Sequence, residues 1–143
     1  MKIFRREEKY LIKSSQITVL KRKLSSLMKE DKNSVNGNYN IRTLYFDSYQ
    51  KDDLFDKLSG LYKKRKIRLR IYNHSDKIIK LEKKYRIDKF IAKESFIINK
   101  NEAHELICKN YGYLLKNSNE KLHKVYYELV SKNYKPKILI EYS

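Results

Sequence analysis

The sequence predicts an α+β fold, in which helices accompany a mainly antiparallel β-sheet. Three stretches of alternating polar and apolar residues follow one another closely, at residues 65–72, 77–86 and 89–98, with short turns between them. This pattern is typical of an antiparallel meander, because a period of two residues is that of a half-buried strand. Helical periods occur before and after the meander, and the chain shows neither an internal repeat nor a linker. A single domain over residues 1–143 is therefore predicted.

The other elements follow from the same two periods. Before the meander come a strand at residues 3–12, a helix from about residue 15, a loop at 32–40, a strand at 41–47 and a short helical turn at 53–61. After it come helices at residues 101–112 and 118–132 and a last strand at 137–143. The first helix carries an apolar stripe made of Ile17, Leu20, Leu24, Leu27 and Met28. Asn101 is expected to cap its helix and Gly112 to end it, since these residue types favour those positions.

Charge is the strongest compositional signal. The 143 residues include 34 Lys and Arg against 17 Asp and Glu, which gives a formal net charge of +17. Because 41% of the residues are hydrophobic and 13% are aromatic, the composition excludes an intrinsically disordered chain despite this charge. Self-repulsion of this size opposes the compact state, and a bound anion would relieve it. Composition alone leaves nucleic acid, an anionic membrane and inorganic phosphate open as partners.

Cysteine content and apolar run lengths address the cellular compartment. Cys108 is the one cysteine, so an internal disulfide is excluded. The basic residues after Met1 are not followed by an apolar segment, which argues against a signal peptide. No stretch is apolar over the length that a transmembrane helix needs. We therefore expect a soluble, cytoplasmic protein without a transmembrane segment.

Strand alternation predicts that basic side chains share one face of the sheet. In the first meander strand that face carries Lys66, Arg68 and Arg70, and in the second it carries Lys80, Glu82, Lys84 and Arg86. Lys93 of the third strand and Arg5, Glu7 and Lys9 of the first strand of the chain extend it. An ordinary half-buried sheet with its charged side in water is one interpretation. Like charges within and across strands repel each other, however, so a multivalent anion is the favoured interpretation. Arginine is also suited to bidentate phosphate contacts.

Two carboxylates lie among these cations, and other catalytic motifs are absent. Glu7 and Glu82 are expected either to form ion pairs or to hold a divalent cation that bridges phosphate oxygens, and Glu7 is the better metal candidate. The sequence contains no Gly-rich phosphate loop, no Cys or His cluster with zinc spacing and no nucleophile elbow.

Five short stretches together resemble a known family. They are residues 5–10 (RREEKY), 42–47 (RTLYFD), 66–72 (KIRLRIY), 81–84 (LEKK) and 93–95 (KES). In this order and spacing they are similar to the vacuolar transporter chaperone (VTC) domain of polyphosphate polymerases. That domain belongs to the triphosphate tunnel metalloenzyme superfamily, which includes the CYTH proteins. Residues 136–143 resemble the strand that leads into the second half of the family's domain.

The resemblance implies a closed antiparallel β-barrel, the triphosphate tunnel, flanked by helices and lined by Lys and Arg. Carried over residue by residue, it implies that substrate phosphates are bound by Lys9, Arg68, Arg70, Lys84 and Lys93. It implies a Mn²⁺ or Mg²⁺ cofactor, for which Glu7 is the candidate ligand. The implied substrates are a nucleoside triphosphate and polyphosphate, which receives the γ-phosphoryl group. No catalytic residue is assigned, because this chemistry consists mostly of positioning and charge neutralisation.

The family's domain continues beyond the end of this sequence, with further strands that carry more basic ligands and its best-known metal-binding glutamate. We therefore expect a tunnel that lacks its C-terminal part, unless a second chain completes it. A triphosphatase of the same superfamily would use the same tunnel, and the sequence does not separate these two activities.

Two interpretations from other classes stay open. A non-catalytic nucleic-acid-binding module would stack bases on Tyr72 and Tyr85. Tyr85 alternates onto the face opposite Lys84 and Arg86, so specific binding of nucleic acid is not expected. The other interpretation is a structural domain that docks on an acidic protein.

Overall fold

The computed structural model of the chain describes residues 4–31, 34 and 37–142. The strands are β1 Arg5–Arg6, β2 Ile41–Asp47, β3 Lys63–Tyr72, β4 Ser75–Ile87, β5 Phe90–Ile98 and β6 Lys135–Tyr142. The helices are α1 Ile17–Ser25, α2 Asp52–Leu58, α3 Lys100–Ile107 and α4 Glu120–Ser131, with 3₁₀ segments at Ser14–Gln16 and Tyr111–Lys116. The fold class is α+β, as the sequence predicted. Within the described ranges, no helix is long and apolar enough to span a bilayer.

The six strands form one antiparallel sheet in the order β1-β5-β4-β3-β2-β6. The predicted meander of β3, β4 and β5 is confirmed. Its first turn is the two-residue pair Asn73 and His74, whose φ angles of 51° and 54° are those of the favoured hairpin turns. The second turn falls at Asp88, with a φ of 52°, and Lys89. Both turns lie within one or two residues of their predicted positions.

The sheet is open within the described residues, because its edge strands β1 and β6 do not pair with each other. The closed barrel that the resemblance implied is therefore not confirmed. Strand β6 pairs with β2 along its length, with one irregularity between Tyr45 and Phe46. In the part of the chain that the structure describes, no strand pairs with the other edge of β6. The strand exposes three apolar side chains, those of Ile138, Leu139 and Ile140.

The first strand is much shorter than predicted. Only Arg5 and Arg6 pair with β5, opposite Ile91 and Phe90, and Ile3 lies outside the described residues. The predicted strand at residues 3–12 was therefore wrong beyond Arg6. The physical reason is that its apolar positions bury little surface, since every described residue from 4 to 12 is exposed. Without a buried face, nothing favours continued pairing over hydration of the backbone.

One face of the sheet carries the core. Ile67 and Leu69 of β3 and Leu81 of β4 are buried there. The helical layer covers them with Leu106, Leu114, Leu122, Val125 and Leu129. The opposite face carries the cations of β3, β4 and β5, and we call it the basic face: Lys64, Lys66, Arg68, Arg70, Lys80, Lys84, Arg86 and Lys93. The predicted division into an apolar and a basic face is therefore confirmed.

Two helix boundaries after the meander differ from the prediction. Asn99, not Asn101, caps α3: its Oδ1 accepts from the Glu102 amide at 2.9 Å, and Glu102 Oε2 accepts from the Asn99 amide at 2.8 Å. This reciprocal capping box explains the earlier start. The helix ends at Ile107, and Lys109, with a φ of 67°, takes the left-handed position that was assigned to Gly112. Gly112 instead lies in the second 3₁₀ segment.

Candidate anion-binding site

The register of the sheet gathers the cations on the basic face. Lys66 lies opposite Lys84, and Lys84 lies opposite Lys93 on its other side. A cavity of about 630 Å³ covers this face. Its lining includes four of the five predicted phosphate ligands, Lys9, Arg68, Arg70 and Lys84. Lys93 does not line the cavity, but its ammonium group contacts Glu82, which also pairs with Arg68 of the lining.

Glu82 is the centre of the charge cluster. Its side chain is 0% exposed, its Oε2 accepts from Arg68 Nε at 2.8 Å, and Arg68 Nη2 lies 2.7 Å from the same oxygen. Its Oε1 accepts from Lys93 Nζ at 3.2 Å, and Arg70 Nη1 lies 3.9 Å from Oε2. Burial by itself would raise the pKa of Glu82, but the charges and hydrogen bonds of Arg68, Lys93 and Arg70 bring that pKa below its usual value. Glu82 is therefore an ionised countercharge that orients three cations, which is one of the two roles predicted for it.

Neutral oxygens orient the two arginines further. Arg68 Nη1 donates to the Tyr45 hydroxyl at 3.2 Å. Arg70 Nε donates to Thr43 Oγ1 at 3.2 Å, and its Nη2 donates to the Tyr142 hydroxyl at 3.3 Å. The side chains are only 10% and 11% exposed. Two guanidinium groups are therefore held in place before any anion arrives, which lowers the entropy lost when one binds.

Glu7 ties the N-terminal segment to the basic face. Its Oε2 accepts from Lys84 Nζ at 3.2 Å, and its Oε1 lies 3.7 Å from Lys9 Nζ. The hydrogen bond from Lys84 lowers the pKa of Glu7. Lys9 lies outside any regular element, and its side chain is 85% exposed. Of the predicted phosphate ligands, Lys9 is therefore the one that the fold positions least firmly.

The structure adds cations that the sequence analysis did not assign as ligands. Lys57 of α2 and Lys64, Lys66 and Arg86 of the sheet line the same cavity, and no ion pair among the described residues engages them. Burial lowers the pKa of Lys66, and the charges of Lys57 and Arg68 lower it further. Strand alternation had already placed Lys66 and Arg86 on this face, and extending it by two residues would have added Lys64. No alternation pattern in the sequence could indicate Lys57, because it lies on helix α2 and reaches the cavity only through the packing of that helix on the sheet.

Helix α2, which carries Lys57, is fixed to the sheet by two aspartates. Asp47 at the end of β2 accepts from the amides of Asp53 and Leu54 at 3.0 and 3.3 Å. Asp53 is buried and accepts from the Tyr134 hydroxyl at 2.5 Å through Oδ1, while its buried Oδ2 finds no hydrogen-bond partner among the described residues. Burial raises the pKa of Asp53 to about 6. These contacts fix the helix that brings Lys57 into the cavity lining.

The donors present allow only a limited role for a metal ion. No group of three or more His, Cys, Asp or Glu side chains lies close enough to hold a metal within the described residues. Among the described residues, Glu7 is the only carboxylate in the cavity lining, and both oxygens of Glu82 already contact Arg68 or Lys93. Magnesium is often bound by one or two carboxylates together with substrate phosphates. The residues present therefore fit a divalent cation only if phosphate oxygens supply most of its ligands.

A second cavity lies on the helix-covered side of the sheet. It measures about 440 Å³ and is lined mainly by apolar side chains such as Leu44, Leu69 and Ile107. Its lining also includes Arg42 and Lys100, but these cations already pair with Glu141 and Asp76, so less uncompensated positive charge is available there than on the basic face. The basic face is therefore the candidate anion site.

Comparison with known proteins gives one positive result. The family model described as the VTC domain matches residues 4–143. None of the curated proteins matches the chain. The match covers β1 to β6, including every strand of the basic face.

Proposed function

The chain belongs to the VTC domain family, and we propose that its basic face binds phosphate chains, namely triphosphate and polyphosphate. The observation that carries this proposal is the cluster around Glu82. One buried carboxylate faces Arg68, Arg70 and Lys93, and Lys84 approaches from the neighbouring register position. Positive charge exceeds negative charge on this face even after every ion pair is counted. A bound multivalent anion would balance this excess.

The proposed ligands are Lys9, Arg68, Arg70, Lys84 and Lys93, joined by Lys57 and Lys66. The arginines present planar donor groups that match phosphate oxygens, while the lysines act as mobile point charges. A cavity of about 630 Å³ is within the usual size range of ligand sites. An extended chain of several phosphates would contact cations from the Arg70 end to the Lys57 end of the cavity.

The reaction that we propose is transfer of the γ-phosphoryl group of a nucleoside triphosphate to the end of a polyphosphate chain. A terminal phosphate oxygen would attack the γ-phosphorus, and the bond to the β-phosphate oxygen would break, releasing a nucleoside diphosphate. Arg68, Arg70 and Lys84 would hold the two phosphate groups in line and offset the charge that develops. No protein nucleophile is needed for this chemistry.

A Mn²⁺ or Mg²⁺ cofactor belongs to the same proposal. When bound, such an ion neutralises charge on the transferred phosphoryl group. Glu7 would be its protein ligand, and its contact with Lys84 would have to open for this role. The closed tunnel is also proposed: further strands, for example from a second chain, would pair with the free edges of β1 and β6.

Titration of the 143-residue chain tests the proposal. Affinities for inorganic triphosphate, polyphosphate and a single-stranded oligonucleotide of equal charge are compared, with and without Mn²⁺, across a salt series. We expect phosphate chains to bind more tightly than the oligonucleotide. The double variant Arg68→Ala with Arg70→Ala should lose at least about tenfold in affinity per arginine, because each makes charge-assisted hydrogen bonds. Equal and steeply salt-dependent binding of all three polyanions would contradict the proposal.

Two further variants keep this experiment interpretable. Removal of both arginines leaves Glu82 short of partners, so Lys66→Gln with Lys84→Gln serves as a second site variant that retains those partners. Lys121→Ala with Lys124→Ala on α4 is the matched control, since both side chains are exposed and lie away from the cavity. The control should bind as the unchanged chain does. Incubation with a nucleoside triphosphate then separates growth of polyphosphate from release of orthophosphate, which would indicate a triphosphatase.

A further inference from the structure

A second cationic surface lies in the N-terminal segment, apart from the basic face. Residues 10–29 contain five basic residues and no Asp or Glu: Lys13, Lys21, Arg22, Lys23 and Lys29. None of these five takes part in an ion pair with the described residues. The segment therefore carries a strong, largely uncompensated positive charge.

The same segment exposes an apolar stripe. Ile17, Leu20 and Leu24 repeat at helical spacing along α1. Leu27 and Met28 continue the stripe into the following turn, where both amides bond to the Leu24 carbonyl. No residue of α1 is buried, and Leu27 is 80% exposed. The rest of the described chain therefore leaves this stripe uncovered.

The basic side chains are arranged around the stripe. On a helical projection, Lys21 and Lys23 flank it on its two sides, and Arg22 lies on the polar face. A second copy of the chain would bring like charges together at such a stripe. A partner with an apolar interior and an anionic surface would match both the apolar stripe and the lysines that flank it.

We propose that α1 binds to the surface of an anionic lipid bilayer. Ile17, Leu24 and Leu27 would enter the boundary between headgroups and acyl chains, while Lys21 and Lys23 would contact lipid phosphates. Interfacial helices combine apolar residues on one face with Lys and Arg at the border in this way. Each Lys or Arg near an anionic surface adds to the attraction. The surface is separate from the phosphate-chain cavity, so the chain could bind a bilayer and a phosphate chain together.

Flotation with lipid vesicles tests this proposal on the 143-residue chain. Vesicles of phosphatidylcholine alone are compared with vesicles that also contain phosphatidylserine, at low and high salt. We expect binding only to the anionic vesicles. Lys21→Gln with Lys23→Gln should weaken it by about fivefold for each charge removed. The control Lys121→Gln with Lys124→Gln removes the same net charge from α4 and should have little effect.

The apolar contribution has its own matched pair. Leu24 of α1 and Val130 of α4 both lie in the last turn of a helix and are 48% and 50% exposed. Leu24→Gln should reduce the partition coefficient by about tenfold, because the leucine leaves water on binding. Val130→Gln should leave it unchanged. Because the chain contains no tryptophan, Leu27→Trp supplies a single tryptophan that can be excited apart from the tyrosines. Its emission should shift to shorter wavelength with anionic vesicles, unlike that of Val130→Trp.

Three outcomes would overturn the proposal. The first is no flotation with anionic vesicles even at low salt. The second is flotation that α1 variants leave intact but Arg68→Ala with Arg70→Ala abolishes, which would assign it to the basic face. The third is concentration-dependent self-association that Leu24→Gln abolishes in the absence of lipid, which would identify the stripe as a protein interface. Circular dichroism on each variant excludes loss of folding as the cause.

Discussion

Glu82 Oε2 accepts a hydrogen bond from Arg68 Nε at 2.8 Å and lies 2.7 Å from Arg68 Nη2, at a fully buried position in the middle of the sheet. A buried ion pair of this kind is costly to dehydrate, and its loss leaves an uncompensated charge. Here Glu82 also holds Lys93 and lies close to Arg70. The pair therefore both supports the fold and orients the cations that we propose to bind phosphate.

Removing the charge of Glu82 should make the fold depend on bound anion. Glu82→Gln should lower the free energy of unfolding by about 3–5 kcal/mol, as loss of one partner of a buried pair does. Triphosphate should raise the melting temperature more in this variant than in the unchanged chain, because it replaces the missing countercharge. Thermal unfolding with and without triphosphate measures both effects.

The control for this prediction is Glu141→Gln. Glu141 pairs with Arg42 at 2.8 Å, but both side chains are 41% exposed, so the expected change is about 0–1 kcal/mol. Equal triphosphate-induced shifts in Glu82→Gln and the unchanged chain would show that the cluster does not bind the anion.

Asp53 should make stability fall as pH rises. Burial raises its pKa to about 6, above the usual 3.8. The folded state therefore retains a proton on Asp53 that the unfolded state has lost, and this contribution is fully present below pH 3.8 and lost as pH rises through 6. Asp53→Asn removes the effect and retains an acceptor for Tyr134. Its stability relative to the unchanged chain should rise by about 3 kcal/mol over that range.

Denaturant unfolding of both chains at several pH values measures this difference. The lowered pKa values of Glu82 and Glu7 make stability rise with pH. Because both chains contain these residues, their contributions cancel in the difference between the two free energies of unfolding. Asp88→Asn, in the exposed turn after β4, is the control. A stability difference that stays constant with pH would contradict the prediction.

Lys57 should contribute to phosphate binding although it lies on a helix. Lys57→Gln should weaken polyphosphate binding and reduce the slope of log affinity against log salt by about 0.7–1, as loss of one phosphate contact does. Lys124→Gln, an exposed lysine of α4, is the matched control. An unchanged salt slope in Lys57→Gln would remove α2 from the site.

Substitution of Glu7 should affect triphosphate binding differently with and without Mn²⁺. Glu7→Gln should strengthen triphosphate binding without metal, because Lys84 is released from its carboxylate partner. The gain in affinity that Mn²⁺ brings should fall by at least about tenfold, as with other losses around a metal site. Titrations with and without Mn²⁺, together with the electron paramagnetic resonance signal of free Mn²⁺, measure both effects. A metal-induced gain equal to that of the unchanged chain would exclude Glu7 as a ligand.

Local sequence patterns predicted those parts of the fold that local physics controls. In β3, Lys66, Arg68 and Arg70 alternate with Ile67 and Leu69, and a pleated strand must place these two sets on opposite faces. Turn residues such as Asn73 set the ends of the meander strands to within a few residues. The short β1 and the early start of α3 escaped prediction because burial and a reciprocal cap decided them. Neither is visible in alternation alone.

The sequence by itself determined that the chain has a basic and an apolar sheet face and which residues belong to each. Tertiary structure decided which of those residues meet. Tyr72 pairs with Ser75 across the turn, and an uninterrupted ladder from there would place Arg68 opposite Ile79. An irregularity between Arg70 and Tyr72 shifts the register, so that Arg68 faces Glu82 and Arg70 faces Lys80.

Alternation specifies a face of the sheet but not the register between strands. The position of Lys57 likewise depended on the packing of α2 against the sheet. The charge cluster therefore exists because of the three-dimensional pairing of β3 and β4.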